Sequence, residues 1–391
     1  MSLTSTSLSS PAVKATAKMN GQWVGRYEGP GAGRIILNVD ERDAAYEGVA
    51  YLLPDDFKTF PASAASFRTA DKQTDRFQFR TTSIMPIDPV SLLVQPWDKV
   101  RPHFADDMAF SSYADVTGNV DEGFLKLSWK TDIEATGEAV LPRSQADKPS
   151  ELPSLKKNWA EYKDYVGSLK GRRFLFRGQD GLWRLRTSFH RRGRADLIRF
   201  LNEDIKMLHS YLMLRTKHFF KLDVPDELGA FLNLVQHHGY PTPLLDWTYS
   251  PYVAAFFAYR HVLKENARKA AAGETVRIHV LDQMKWRRDN AQILLLLFPG
   301  LSLSIGEFIA IENERMIPQQ AVSTFSNVDD IESYIRSVES DDKQYLSAID
   351  LPISERDRAM EDLSYMGITA GSLFPGFDGT CEELRERTFT T

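Results

Sequence analysis

Gln236-His237-His238-Gly239-Tyr240-Pro241-Thr242-Pro243-Leu244-Leu245-Asp246-Trp247-Thr248, running on into Tyr249-Ser250-Pro251-Tyr252-Val253-Ala254-Ala255-Phe256-Phe257-Ala258, is the stretch on which the reading of this chain turns. Two adjacent histidines precede a Gly-x-Pro turn. A short apolar strand, Leu244–Trp247, then carries an aspartate in its interior. A buried carboxylate is costly unless it is paired or hydrogen-bonded, so the pattern is expensive for stability alone and points to a site. Ser250 is placed as the N-cap, and Pro251 at the first turn, of a helix expected over Pro251–Asn266.

Outward from this stretch the apolar periodicity predicts a mixed α/β unit over residues 158–391. Helices are expected over Trp159–Leu169, Ala195–Phe220, Glu227–Val235, Asp329–Val338 and Ser354–Met366. Strands are expected over Arg173–Arg177, Thr275–Leu281, Phe308–Glu312 and Ala321–Phe325. Residues 143–157 are polar, carry Pro149 and Pro153, and read as a linker. Ahead of it, residues 20–142 read as β-structure. Short alternating runs at Gln22–Tyr27, Arg34–Val39, Glu47–Leu53, Arg76–Arg80 and Phe124–Trp129 are separated by turn residues, the pattern of a barrel or sandwich. The opening Gly21-Gln22-Trp23-x-Gly25-x-Tyr27 resembles the first strand of lipocalin-like barrels over those seven residues. Trp23, Trp97 and Trp129 are expected to fill a core. Residues 1–19 lack the apolar centre of a signal peptide and read as a disordered lead-in. The fold class expected is therefore α+β, in two domains.

Composition narrows the function classes. A net charge of −5 over 391 residues gives no overall affinity for nucleic acid or anionic membrane. A single cysteine, Cys381, excludes an internal disulfide and a cysteine-based metal site and fits a reducing compartment. The longest strongly apolar run, Ile293–Phe298, is far too short to span a bilayer. A cytoplasmic protein with no membrane partner is expected.

Several constellations could carry chemistry. Phe176-Arg177-Gly178-Gln179 places an arginine at the end of an apolar strand. Its planar fork can hold a phosphate or ribose, or else pair with a carboxylate such as Asp246. Thr248 and Ser250 open a helix, where free N–H groups favour anions; simple N-capping is the alternative. Glu312 and Glu314 would share one face of a strand, suited to charge stabilisation or proton abstraction, or would be solvated surface. His237 and His238 lack third and fourth ligands at metal-binding spacing, so no metal is expected, and one of them is assigned to a ligand or to Asp246. Between Lys170 and Arg194, nine lysines and arginines face one acid, Asp180. Such a patch attracts phosphate, forms a solvated face, or binds nucleic acid.

Together these segments resemble the FRG domain, named for its Phe-Arg-Gly motif. Phe176-Arg177-Gly178-Gln179 matches its opening. Gln236–Thr248 with Pro251–Ala258 matches its central signature. Gly367-Ile368-Thr369 with Leu373-Phe374-Pro375-Gly376-Phe377-Asp378-Gly379 matches its close. Pro243 stands where the family usually has arginine. The order of segments also resembles that of ADP-ribosyltransferases: Arg177 on an early strand, Thr248-Tyr249-Ser250 before Pro251-x-x-Ala254-x-x-Phe257, and Glu312-x-Glu314 before Met316-Ile317-Pro318. Trp247 stands where those enzymes have serine. The resemblance implies an ADP-ribosyltransferase-like fold and transfer of ADP-ribose from NAD to a protein, RNA or DNA acceptor, in a toxin or phage-defence setting. Hydrolysis of NAD and non-catalytic nucleotide binding are the rival expectations.

In that scheme Arg177 holds diphosphate or ribose, and Glu314 stabilises the cation-like ribose. Glu312 deprotonates the acceptor, and Thr248 and Ser250 orient the groups. Gly178, Gln179, His237, His238 and Asp246 shape the pocket, with Gln319 or Gln320 an alternative to the glutamates. The N-terminal domain would recognise a target, sense a trigger or bind a regulatory partner.

Overall fold

The computed structural model describes residues 18–389. The expected lead-in falls outside them as far as residue 17. Its last residue departs from expectation: Met19 is fully buried, and its carbonyl accepts a 2.7 Å hydrogen bond from Trp23 Nε1. The chain packs as two units, one ending at Arg143 and one starting at Ser144, with Val90–Leu93 grouped with the second.

In the first unit nine antiparallel strands form one sheet: β1 (Gly21–Glu28), β2 (Gly33–Glu41), β3 (Tyr46–Pro54), β4 (Ser63–Arg68), β5 (Phe77–Arg80), β6 (Ser83–Pro86), β7 (Ala114–Asp121), β8 (Phe124–Thr131) and β9 (Thr136–Pro142). Their order is β5-β7-β8-β9-β1-β2-β3-β4-β6, so β5 and β6 are the edges of a curled half-barrel. Alternation selects the inner face: Trp23 and Tyr27 of β1, Ile35, Leu37 and Val39 of β2, and Leu125 and Leu127 of β8 share one core. All five strands expected from sequence coincide with or overlap β1, β2, β3, β5 and β8.

The second unit is built on a seven-stranded mixed sheet. Its strands are β10 (Ser154–Lys156), β11 (Phe174–Gln179), β12 (Leu244–Thr248), β13 (Thr275–Asp282), β14 (Leu303–Gly306), β15 (Ala321–Ser326) and β16 (Leu346–Pro352), in the order β10-β16-β13-β11-β12-β15-β14. Only β10 with β16 is parallel. Phe176, Val276, Ile278, Val280, Ile349 and Leu351 point to one face and pack on the helices Trp159–Gly167, Pro251–Tyr259 and Arg356–Tyr365. Leu175, Leu281, Trp247 and Val322 point to the other and pack around Trp286, Ile331 and Ile335. With helices segregated around a largely antiparallel sheet, the chain is α+β.

Four expectations are corrected. The segment read as a linker is tied into the second unit from Ser150 onward: Leu152 is buried, Ser150 Oγ accepts from Arg277 Nη1 at 2.7 Å, and Ser154–Lys156 is β10. The helix expected to reach Phe220 stops at Leu212, because Phe220 turns back into the core and its carbonyl meets His209 Nε2 at 2.7 Å. The helix expected over Pro251–Asn266 ends at Tyr259, and a separate one runs Lys264–Lys269. Phe308–Glu312 is a loop, and the strand lies earlier at Leu303–Gly306. Glu312 has φ +53°, which breaks extended pairing.

Among the described residues no helix is long and apolar enough to cross a membrane. The glycine of the Phe-Arg-Gly motif serves the packing of β11 on the Pro251–Tyr259 helix. A Cβ on Gly178 would lie 1.9 Å from the Ala254 carbonyl oxygen and 2.7 Å from Ala258 N. Both are backbone atoms that cannot rotate away. Gly178→Ala is therefore expected to lower unfolding free energy by about 1–3 kcal/mol, read by urea denaturation; an unchanged midpoint would contradict this packing.

Candidate functional site

Strands β11 and β12 are paired at one position, Phe176 opposite Thr248. Arg177, one residue beyond, bridges the two strands by donating from Nη1 to the Asp246 carbonyl at 2.6 Å. Its Nε is buried and has no hydrogen-bond partner. Burial pushes the guanidinium down to about 10, while Asp246 opposes that shift. At neutral pH it is still a cation, with a buried donor unused.

Around this split opens a cleft of about 670 Å³, within the size range of small-molecule sites. Arg177, Arg184, Arg191, Arg260 and Arg315 line it, facing two acids, Asp180 and Asp246. The arginines differ in freedom. Arg184 is bound to Glu151 and Asp330, and Arg260 makes a two-pronged pair with Glu382. Among the described residues Arg177, Arg191 and Arg315 make no ion pair. Arg260 and Arg315 both lie over the Phe374 ring, at 3.9 and 5.2 Å from its centre.

Two further orphaned polar atoms, Gln179 Oε1 and His237 Nε2, are buried within residues that line the same cleft. Burial, with Arg315 and His238 adding to it, pushes His237 down to about 4, so its ring is neutral at pH 7. Buried polar atoms nearly always find partners. Three without partners belong to residues around one cleft whose arginines suit a phosphate-bearing ligand.

Asp246 sits on β12 with its side chain exposed to the cleft. Its Oδ1 accepts from Gln236 Nε2 at 2.6 Å and from Ser323 Oγ at 3.4 Å. Gln236 is fixed in turn, its Oε1 accepting from Thr242 Oγ1. Both hydrogen bonds fall on Oδ1, leaving Oδ2 to the cleft.

Thr248 lines the cleft, but its hydroxyl donates to Gln319 O at 2.7 Å and accepts from Ser250 N. Gln319 also lines it, with Nε2 donating to Leu373 O. Ser250 caps the Pro251–Tyr259 helix through Val253 N at 3.2 Å. Glu312, Glu314, His238 and Gln320 are exposed and do not line the cleft. Glu312 ties down a loop, accepting from the backbone N–H groups of Lys217 and His218, each at 2.7 Å. Among the described residues no group of three or more His, Cys, Asp or Glu side chains is placed to hold a metal ion.

Sequence reasoning did not single out Arg191, Arg260, Arg315, Gln236, Trp183 or Phe374 as site residues. Arg191 and Trp183 lay within the basic patch, Phe374 within the closing motif and Arg315 beside the glutamates. Their convergence comes from the sheet order, which adjacent sequence does not carry.

An α+β unit with an arginine-lined cleft at a strand split is the class of protein the geometry defines. Residues 172–267 match the family model of the FRG domain, and the chain carries an FRG domain. The match covers β11, the intervening helices, β12 and the helix after it; the closing motif lies beyond it. No curated protein and no solved structure matches the chain.

The buried histidines of this unit set a pH dependence. Burial pushes His190 down to about 4 and His279 to about 3, with Arg277 and Arg177 adding to the latter. A depressed histidine is neutral when folded, so below the ordinary value of 6.5 the unfolded chain takes up a proton that the folded site refuses. The contribution of these two histidines to stability is therefore flat above pH 6.5 and falls towards pH 4, by at most about 1.4 kcal/mol per pH unit for each histidine. His279→Leu is expected to make that decline shallower in denaturant titrations between pH 7 and 4; an unchanged slope would contradict it.

Proposed function

We propose that the FRG unit takes an NAD-type dinucleotide into the Arg177 cleft and transfers its ADP-ribosyl group to an acceptor. The observation that carries the binding half is the meeting of three arginines without ion pairs, Arg177, Arg191 and Arg315, around one cleft, with Arg177 Nε left without a partner. A diphosphate answers the guanidinium donors in number and charge. Among carboxylates lining the cleft, Asp246 is the one fixed by a neighbouring amide with an oxygen left over.

In the transfer, the bond between ribose C1′ and the nicotinamide nitrogen breaks, and nicotinamide leaves with the electron pair. A carboxylate beside the cation-like ribose stabilises the charge that develops. The acceptor's nucleophile then bonds to C1′ and gives its proton to a base. Asp246 is assigned the charge-stabilising role in place of Glu314. A protein, RNA or DNA acceptor gives ADP-ribosylation; water gives NAD hydrolysis.

One observation favours a second reading, a nucleotide-binding module without turnover. Glu312 and Glu314 lie outside the cleft lining, and Asp246 is already hydrogen-bonded. Incubating the full chain with labelled NAD and cell lysate separates the readings. Nicotinamide release is expected, reduced at least a hundredfold in Asp246→Asn and unchanged in Glu314→Gln. Release lost in Glu314→Gln but kept in Asp246→Asn would overturn the assignment, and binding with no release would leave the module reading.

A further inference from the structure

The half-barrel holds a second cavity, of about 270 Å³ and partly open to solvent, whose walls are mostly apolar. Ile35, Leu52, Phe67, Phe79, Phe110 and Trp129 are among its walls. No lysine, arginine, histidine or aspartate lines it, and its one acid, Glu28, is exposed. None of the orphaned buried polar atoms of the molecule belongs to it. Several of the lining polar groups are already used: Thr81 Oγ1 accepts from Ala114 N, Thr131 Oγ1 accepts from Ala135 N, and the Tyr27 hydroxyl donates to Gly31 O.

The sequence makes this space with small residues. Ala50 of β3 and Ala65 of β4 stand opposite each other in register, and both line the cavity. A large apolar side chain at either would fill it. Protein interiors close-pack, and an apolar cavity of about 150 Å³ is large enough to take up benzene. A largely apolar space of this size, with no cation in its walls, suits an apolar occupant.

We propose that the half-barrel binds a neutral, apolar small molecule, about the size of two or three aromatic rings, in the cavity walled by Ala50, Ala65, Phe67 and Trp129. An acyl carboxylate is disfavoured, because burying its charge needs a cation and the cavity wall offers none. The site is separate from the FRG cleft and does not depend on the reading given to that cleft.

The test uses the full chain and N-phenyl-1-naphthylamine, a neutral probe whose fluorescence rises in apolar surroundings. A saturable rise at one probe per chain is expected. Naphthalene should compete, and dodecanoate should compete at least tenfold less well. Ala50→Phe and, separately, Ala65→Leu should weaken probe binding at least tenfold while raising the thermal midpoint. The midpoint also shows whether each variant folds. A non-saturating rise with the unmodified chain, equal competition by dodecanoate, or undiminished binding in both folded variants would overturn the proposal.

Discussion

The guanidinium of Arg177, half-buried at the single point where β11 meets β12, is the constraint around which the second unit is arranged. A cation with one hydrogen bond and a buried, idle Nε donor is expensive. The fold pays that cost by design of its neighbours: Asp246 supplies the carbonyl, Gln236 and Thr242 fix Asp246, and Gly178 lets the following helix approach β11 closely enough to close the far wall. The residues of the Phe-Arg-Gly motif thus divide into a core side chain, a site side chain and a packing requirement.

The surrounding arginines differ in the same way. Arg184 and Arg260 are committed to carboxylates and act as fixed walls, while Arg191, which donates to the Arg186 carbonyl, and Arg315 have no ion pair. The chain ahead of the domain contributes too. Ser150 holds Arg277, which pairs with Asp350, and Glu151 and the Pro149 carbonyl hold Arg184. A segment that reads as spacer is therefore part of the framework that positions the cleft.

Much of this was legible in the sequence because it is local. Alternation marked five of the half-barrel strands, and Ser250 and Pro251 marked a helix start. The aspartate within the apolar strand was read as a buried carboxylate, but Asp246 is exposed, so the burial cost argued for it does not apply. What was not legible is long-range. The glutamates of Glu-x-Glu qualify as a pair only on a strand, and a left-handed Glu312 removes that strand. The polar, proline-bearing segment 143–157 looks unstructured until the edge of β16 is there to pair with it. Arg315 and Phe374 reach the cleft through the fold alone. The half-barrel cavity is likewise invisible locally, since Ala50 and Ala65 lie in different strands and become neighbours only in register.

The central claim, that Arg177 anchors a diphosphate in the cleft, is tested most directly by calorimetric titration of the full chain with NAD and with inorganic pyrophosphate, at low and high salt. The account predicts one site for each, weakened by salt, and lost in Arg177→Met while the thermal midpoint is kept. No binding of either ligand, or equal binding by folded Arg177→Met, would contradict it.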